Sequence, residues 1–403
     1  MRIIIQGNAP WVPTGYGVLA RNLLPRWKAM GHDLAFFAFH GLYGGQLELD
    51  GIPMLPLGKE MWGRDKMEFY SKNFKADIYM TFLDVWAIPE IAKMKDVRWV
   101  PYTPIDHMPC PEPVVDVLRG AYRIATMTKN GQKLLEEGKA TDGTYPKIQS
   151  VPIYHGIDPQ FYKPLPLENR QELRKLLNLT DKDFLIGIVA MNKGLRKNFQ
   201  DMFDVFARFK KRHSNVKLYV HSDSTRPDGM DLRRMAKFFG IENDIFWSDI
   251  HLMELGYPPE KVGELYNMFD VTLMTTAGEG FGFPIIESQA CGTPVITNDF
   301  TTGRELNAIP ELVVTPDRLF MDNLLSYQAL TDIDKAVEAL EQVYMNGKES
   351  YAEKLVEFSK QFEWDTIAKQ WGMFFNEIEA DLGLKKPVIA PVVEGAKPEE
   401  IKA

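Results

Sequence analysis

Glu279 and Glu287 stand with seven residues between them in the run Gly278-Glu279-Gly280-Phe281-Gly282-Phe283-Pro284-Ile285-Ile286-Glu287. Gly278, Gly280 and Gly282 let the backbone come close to a ligand, and Pro284 suits the first position of a helix. A helix opening there aims unpaired N–H groups and its positive dipole end at the loop, a setting that favours phosphate. Glu279 then lies on the loop and Glu287 in the first helical turn, so two carboxylates from different elements face one cleft. Ionised carboxylates only accept hydrogen bonds, which suits a ligand rich in hydroxyls. Val271–Met274 before the run reads as a buried strand, and Ala290-Cys291-Gly292-Thr293-Pro294-Val295-Ile296 after it as a turn and a new strand.

Other residues offer complementary chemistry. Arg196 and Lys197, in Asn192-Lys193-Gly194-Leu195-Arg196-Lys197-Asn198, are adjacent cations before a helix, able to neutralise a diphosphate leaving group. Asp106 and His107 follow the strand Arg98–Thr103 in a proline-rich loop. The loop Gly7–Gly17, with Gly15 and Gly17, follows a strand and opens a helix, so its amides could meet a phosphate or a sugar. It is not a dinucleotide fingerprint, because it lacks Gly-x-Gly-x-x-Gly and the second strand ends Phe37-Ala38-Phe39-His40 without an acid. Glu305 follows a glycine turn at Gly303. No His-Glu-x-x-His, cysteine pair or Asp-x-Asp metal site is read. The competing readings are an ordinary strand–loop–helix unit at the glutamates, a solvated helix cap at 196–197 and plain turns at 14–17 and 106–107.

The elements that would carry these residues alternate between strand and helix. Strands are expected at Arg2–Gln6, Asp33–Phe39, Ile78–Phe82, Arg98–Thr103, Arg123–Met127 and Ile148–Ile153. Helices are expected at Val18–Met30, disturbed at Pro25, and from Gln132 to Gly138. A second series runs from Phe184 through the helix Phe199–Arg212, with Pro152–Pro166 as the boundary. Tandem α/β series of this kind predict two doubly wound parallel sheets with a cleft between them.

The Glu279–Glu287 run resembles the Glu-x7-Glu signature of retaining glycosyltransferases of family 4, which have the GT-B fold. His155-Gly156-Ile157-Asp158 resembles that family's Asn/His-Gly-Val-Asp junction. The resemblance covers residues 1–380 and is weakest at 40–95. It implies a GT-B chain of class α/β, with two Rossmann-like doubly wound domains facing a central cleft. An acceptor-side domain would span 1–160 and a donor-side domain 161–361, followed by a helix at 362–383 crossing back to the first domain and a flexible tail at 384–403. It also implies that Glu287 holds ribose hydroxyls and Glu279 the donor sugar, while backbone at Gly280, Phe281, Gly282 and Phe283 lines sugar and phosphate. Lys197 takes the place of the family's phosphate lysine. Arg196 does the work of an arginine that the family carries about five residues earlier, where this chain has Met191 and Asn192. Gly15 and Gly17 would lie near the donor phosphate, Asp106 and His107 near the transferred sugar, and Glu305 behind the phosphate loop.

The activity so implied is transfer of a hexose or related sugar from a nucleotide-diphosphate sugar, a UDP-sugar in the first instance, to a hydroxyl acceptor. It needs no metal and no cofactor. The rivals are a GT-B sugar phosphorylase or sugar-nucleotide epimerase, a transferase acting on a modified DNA base, and an inactive sugar-nucleotide-binding protein. The chain of 403 residues has a net charge of −8, which argues against a dedicated nucleic-acid binder. Basic clusters at Lys210-Lys211-Arg212-His213 and at Arg233, Arg234 and Lys237 read as solvated helix faces. Cys110 and Cys291 are too few for a disulfide framework. With no signal peptide and no membrane-length apolar run, the expected setting is cytoplasmic, with a peripheral membrane location as the variant. Acceptor identity and oligomeric state are not legible.

Overall fold

The computed structural model describes residues 1–384; the expected tail lies, beyond Leu384, outside the described residues. The first half forms an eight-stranded sheet in the order β3-β4-β2-β1-β5-β6-β7-β8. Its strands are β1 (Arg2–Asn8), β2 (Asp33–His40), β3 (Leu47–Leu49), β4 (Ile52–Leu55), β5 (Ile78–Phe82), β6 (Trp99–Thr103), β7 (Ala125–Thr126) and β8 (Val151–Pro152). All neighbours pair in parallel except β3 with β4. The second half forms a six-stranded sheet in the order β11-β10-β9-β12-β13-β14. Its strands are β9 (Phe184–Val189), β10 (Val216–His221), β11 (Ile245–Trp247), β12 (Val271–Met274), β13 (Val295–Asn298) and β14 (Val313–Val314). A hairpin, β15 (Arg318–Met321) and β16 (Tyr327–Leu330), follows.

The central strands read as continuous apolar runs because helices cover both faces of a parallel sheet. Every residue of Phe184–Val189 is buried, as is β1 after Arg2. Strand order reverses at β1 and at β9, and ligands of open α/β sheets bind beyond the carboxyl ends of strands at such switch points. The loop that leaves β1 leads into the helix opened by Gly15, with Gly17 in its first turn, and the loop carrying Arg196 and Lys197 leaves β9. The topology therefore brings the candidate residues of both halves to one cleft.

The helix Gly15–Ala29 runs unbroken through Pro25, where a disturbance was expected. Packing holds it in place. Trp27 stacks edge-on against Trp371 and Phe375, each with ring centroids 5.0 Å away, on the helix Trp364–Asp381. That last helix crosses back to the first half. Its entry is fixed by Ile157, whose N–H donates to Phe362 at 2.7 Å and whose carbonyl accepts from Trp364 at 3.2 Å. Gly156 must be glycine there, since a Cβ would collide with the Trp364 ring. Strands β7 and β8 are shorter than expected: β7 ends where Thr128 turns the chain into the helix Lys129–Glu136, and edge strand β8 pairs only with the two residues of β7. The antiparallel pair β3–β4 and the hairpin β15–β16 were not expected. Among the described residues no helix is long and apolar enough to cross a membrane.

Trp371 is fully buried, so Trp371→Ala should destabilise the chain by about 3–5 kcal/mol, read as a lowered urea midpoint. A loss below about 1 kcal/mol would mean that the returning helix is not part of the first half's core.

Candidate active site

The loop between β12 and the helix Phe283–Ala290 forms the centre of the cleft. Gly282 caps this helix with φ at 99°, which favours glycine. Phe283 opens the helix and Pro284 comes second, so Glu287 is the fifth residue and lies in the second turn, not the first. Among the described residues the N–H groups of Gly280, Phe281, Gly282 and Phe283 donate to no protein acceptor, and they form a cradle for an anion or a sugar oxygen. Gly278 and Gly280 serve another close approach. A Cβ at Gly278 would collide with the Asp106 carbonyl, and one at Gly280 with Pro104. Both contacts are with backbone or ring atoms of the first half.

Glu279 is buried and gathers the two cations, with Lys197 Nζ 2.6 Å from Oε1 and Arg196 Nη1 3.1 Å from Oε2. Arg196 Nη1 also donates to the Gly278 carbonyl at 2.9 Å, and Arg196 Nε lies 3.6 Å from Asp106. Burial works against the Glu279 charge, but Lys197 and Arg196 outweigh it and hold the carboxyl below its ordinary range. Glu287 has the opposite environment. Burial pushes it up to about 7, and hydrogen bonds from the Tyr266 and Tyr162 hydroxyls only lessen the shift. The Tyr266 hydroxyl donates to Oε2 at 2.9 Å.

Asp106 and His107 enter from the first half. His107 Nδ1 lies 2.6 Å from Asp106, and its Nε2 lies 2.8 Å from Asp322, so both ring nitrogens are engaged. Burial opposes ionisation of Asp106, yet His107 and Arg196 hold it down to about 2. Gly15 stands opposite the start of the Phe283–Ala290 helix, where a Cβ would lie 3.6 Å from the Phe283 ring. Two expected donor contacts need correction. The Gly17 N–H already donates to Thr14 Oγ1 at 3.1 Å as part of a helix cap, so it is not free for a phosphate. Glu305 accepts from the Lys129 and Asn130 amides, each at 2.8 Å, and from the Tyr154 hydroxyl at 2.6 Å. Its carboxylate therefore caps a first-half helix and braces the two halves, with its hydrogen bonds spent on the first half.

The chain does contain Asp-x-Asp tripeptides, at Asp181–Asp183 and Asp332–Asp334. Both are structural, as Asp183 closes a turn on Thr180 and Asp332 caps the helix Ile333–Asn346. Sequence reasoning missed Asp84 and Tyr16, which join the cleft from the first half. Tyr16 donates to Asp84 at 3.5 Å, and burial followed by the nearby Asp106 charge pushes Asp84 up to about 6. The available signal was Asp84's place just beyond the end of a buried apolar strand. Asp322 and Gln328 were missed because the hairpin itself was missed.

Residues 169–358 match the family model described as Glycosyl transferases group 1. An uncharacterized glycosyltransferase of Sulfolobus islandicus rod-shaped virus 1 is 29% identical over 210 residues, 48% of this chain and 53% of the relative. The chain spans about half the length of the curated relatives it matches. Sucrose-phosphate synthase from Thermosynechococcus elongatus superposes with a TM-score of 0.73 at 15% identity, covering 94% of this chain and 100% of that one. Anabaena HepE in complex with UDP-glucose gives a TM-score of 0.69 at 14% identity, covering 94% and 100%. The chain has the GT-B fold of these solved glycosyltransferases, and residues 169–358 match the group 1 glycosyltransferase model, in keeping with the family that its Glu-x7-Glu run resembles.

The raised Glu287 carboxyl makes a stability prediction with a definite sign. Between its ordinary value of 4.5 and about 7 the folded chain binds this proton more tightly than the unfolded chain. Stability from this group is therefore lost as pH rises through that window. Glu287→Gln should raise the melting temperature relative to wild type at about pH 8, with a smaller gain at about pH 5. An equal difference at both pH values would refute the buried, proton-retaining carboxyl.

Proposed function

We propose that the chain is a retaining glycosyltransferase that moves a hexose or related sugar from a UDP-sugar to a hydroxyl acceptor without a metal ion. The observation that carries this reading is that Arg196 and Lys197 are both held on Glu279, immediately before the free amides of 280–283. Cleaving a sugar–phosphate bond leaves negative charge on the departing diphosphate. Two fixed cations and a helix N-terminus in a water-poor cleft stabilise that charge more than they could in water. They supply the positive charge that a divalent cation supplies elsewhere.

Glu279 does double duty in this scheme. An ionised carboxylate has about four lone-pair sites, and Lys197 and Arg196 occupy one on each oxygen. The remainder can accept from hydroxyls of the donor sugar. Glu287, supported by Tyr266 and Tyr162, would accept from the ribose diol in its ionised form. In the cleft Glu279, Glu287, Asp84 and Asp106 are each engaged by a cation, a tyrosine or His107 and none stands alone as a nucleophile, which supports a same-face displacement in which the departing phosphate takes the acceptor proton. The UDP-glucose complex of the HepE neighbour supports the choice of donor base.

The test is a thermal-shift series with UDP, GDP, ADP, CDP and their common sugars, without added metal, on wild type and Glu287→Ala. UDP and UDP-sugars should stabilise the wild type by about 2.7 kcal/mol at a hundredfold excess over the dissociation constant, and Glu287→Ala should lose most of that gain. Stabilisation by another nucleotide class would reassign the base. No stabilisation by any nucleotide would overturn the transferase reading.

A second outcome concerns the cations. Lys197→Ala should cut turnover by about 10²–10³, as removal of one donor to a developing oxyanion does, measured as UDP release. A loss confined to KM would place Lys197 in ground-state binding alone.

A further inference from the structure

The hairpin β15–β16 belongs to the second half but reaches the first. Its return strand is tied to the loop that carries Glu279: the Ala329 N–H donates to Ala277 at 2.9 Å, and Thr331 Oγ1 donates to Thr275 at 3.2 Å. Its tip docks on the first half. Met108 and Tyr327 exchange backbone hydrogen bonds of 3.2 and 3.0 Å, and the Ser326 hydroxyl donates to the Pro109 carbonyl. This short antiparallel bridge is the only strand pairing between the halves outside the junction at Ile157 and Glu363, among the described residues.

The docked tip sets Asp322 against His107, 215 positions apart in sequence, with Oδ2 2.8 Å from Nε2. The Gln328 amide stands 2.9 Å from the same nitrogen. On the other side of the ring Asp106 Oδ1 lies 2.6 Å from Nδ1, and Asp106 Oδ2 faces Arg196 at 3.6 Å. A chain of contacts thus runs from Asp322 through His107, Asp106 and Arg196 to Glu279, crossing the cleft twice. Burial lowers the affinity of His107 for a proton, but hydrogen bonds and charges from Asp106 and Asp322 outweigh it and raise its pKa. Of the other titratable groups on the elements around it, Asp84, Tyr16 and Cys110 are each pushed up by burial and then by charges that include Asp106.

We propose that Asp322 is a positioning residue: from the hairpin of the second half it fixes the His107 ring, and through Asp106 the Arg196 guanidinium, so that the site is complete only when the halves are closed on each other. The positioning role in turnover rests on the glycosyl-transfer reading above; the Asp322–His107 pair does not. With both ring nitrogens held by carboxylates, His107 acts as the pin of this assembly and not as a proton donor to the sugar. Asn at 322 keeps the shape and removes the charge. Glu restores the charge at a longer reach.

The test pairs two measurements on the full chain as wild type, Asp322→Asn and Asp322→Glu, with Ser326→Ala as a hairpin control. The first is a histidine titration by nitrogen-15 NMR, with the His107 signal assigned from His107→Gln. Asp322→Asn should lower the His107 midpoint by about one pH unit or more, while Asp322→Glu keeps it near wild type and Ser326→Ala leaves it unmoved. The second is UDP release from UDP-glucose across pH. Asp322→Asn should lower kcat about tenfold with KM for UDP-glucose unchanged, and move the alkaline limb of the profile to lower pH, with recovery in Asp322→Glu. An unchanged His107 titration in Asp322→Asn overturns the proposal, as does a shifted titration with unchanged kcat and pH profile. If wild type releases no UDP, the transferase reading fails, and the titration alone still decides whether Asp322 holds His107.

Discussion

The cleft depends on two backbones meeting with no side chain between them. Gly278 and Gly280 lie against Asp106 and Pro104 of the other half, and a Cβ at either glycine would collide. That approach lets Arg196 touch Asp106 and Glu279 together and lets the hairpin reach His107. Separating the halves by the width of a methyl group would leave several buried charges facing one another without contact. Glycine at these two places is thus a condition for the ion cluster, quite apart from any closeness to a ligand.

Within that constraint the electrostatics divide the two glutamates of the signature. Glu279 has two cations as neighbours and stays ionised despite burial. Glu287 has two tyrosine hydroxyls and no cation, so burial dominates and its carboxyl rises to about 7. A buried charge removed from water without a partner is costly, whereas the same charge beside a cation is tolerated. The first carboxylate is suited to a site where positive charge must be held ready, the second to one where a ligand's hydroxyls provide the missing partners.

Much of this was legible in the sequence because the signals were periodic or local. The apolar runs Ile3–Ile5 and Phe184–Val189 gave the central strands, and Gly282 with Pro284 gave the helix start within one residue. What could not be read was long-range or a matter of competition between partners. Nothing near Glu305 indicates that its carboxylate meets amides some 175 positions away. Gly17 looked like a ligand amide because the Thr14 side chain that occupies it is a feature of the folded turn. The hairpin β15–β16 is short, half-exposed and poor in alternation, so its strands carried no clear period, and Asp322 and Gln328 went unseen with it.

The packing of Trp371 and Phe375 on Trp27 also orders events during synthesis. The half that leaves the ribosome first cannot complete its core until the helix Trp364–Asp381, at the end of the described chain, has emerged. Until then Trp27, Phe82 and Tyr102 present an aromatic face with no cover, the kind of surface on which nascent chains associate or recruit chaperones. One apolar cluster, moreover, includes Trp27 and Trp371 together with Phe281, Ile285 and Leu306 of the second half. The two sheets are therefore joined through a common interior, and the first of them is bound to the fate of a helix that follows the whole of the second.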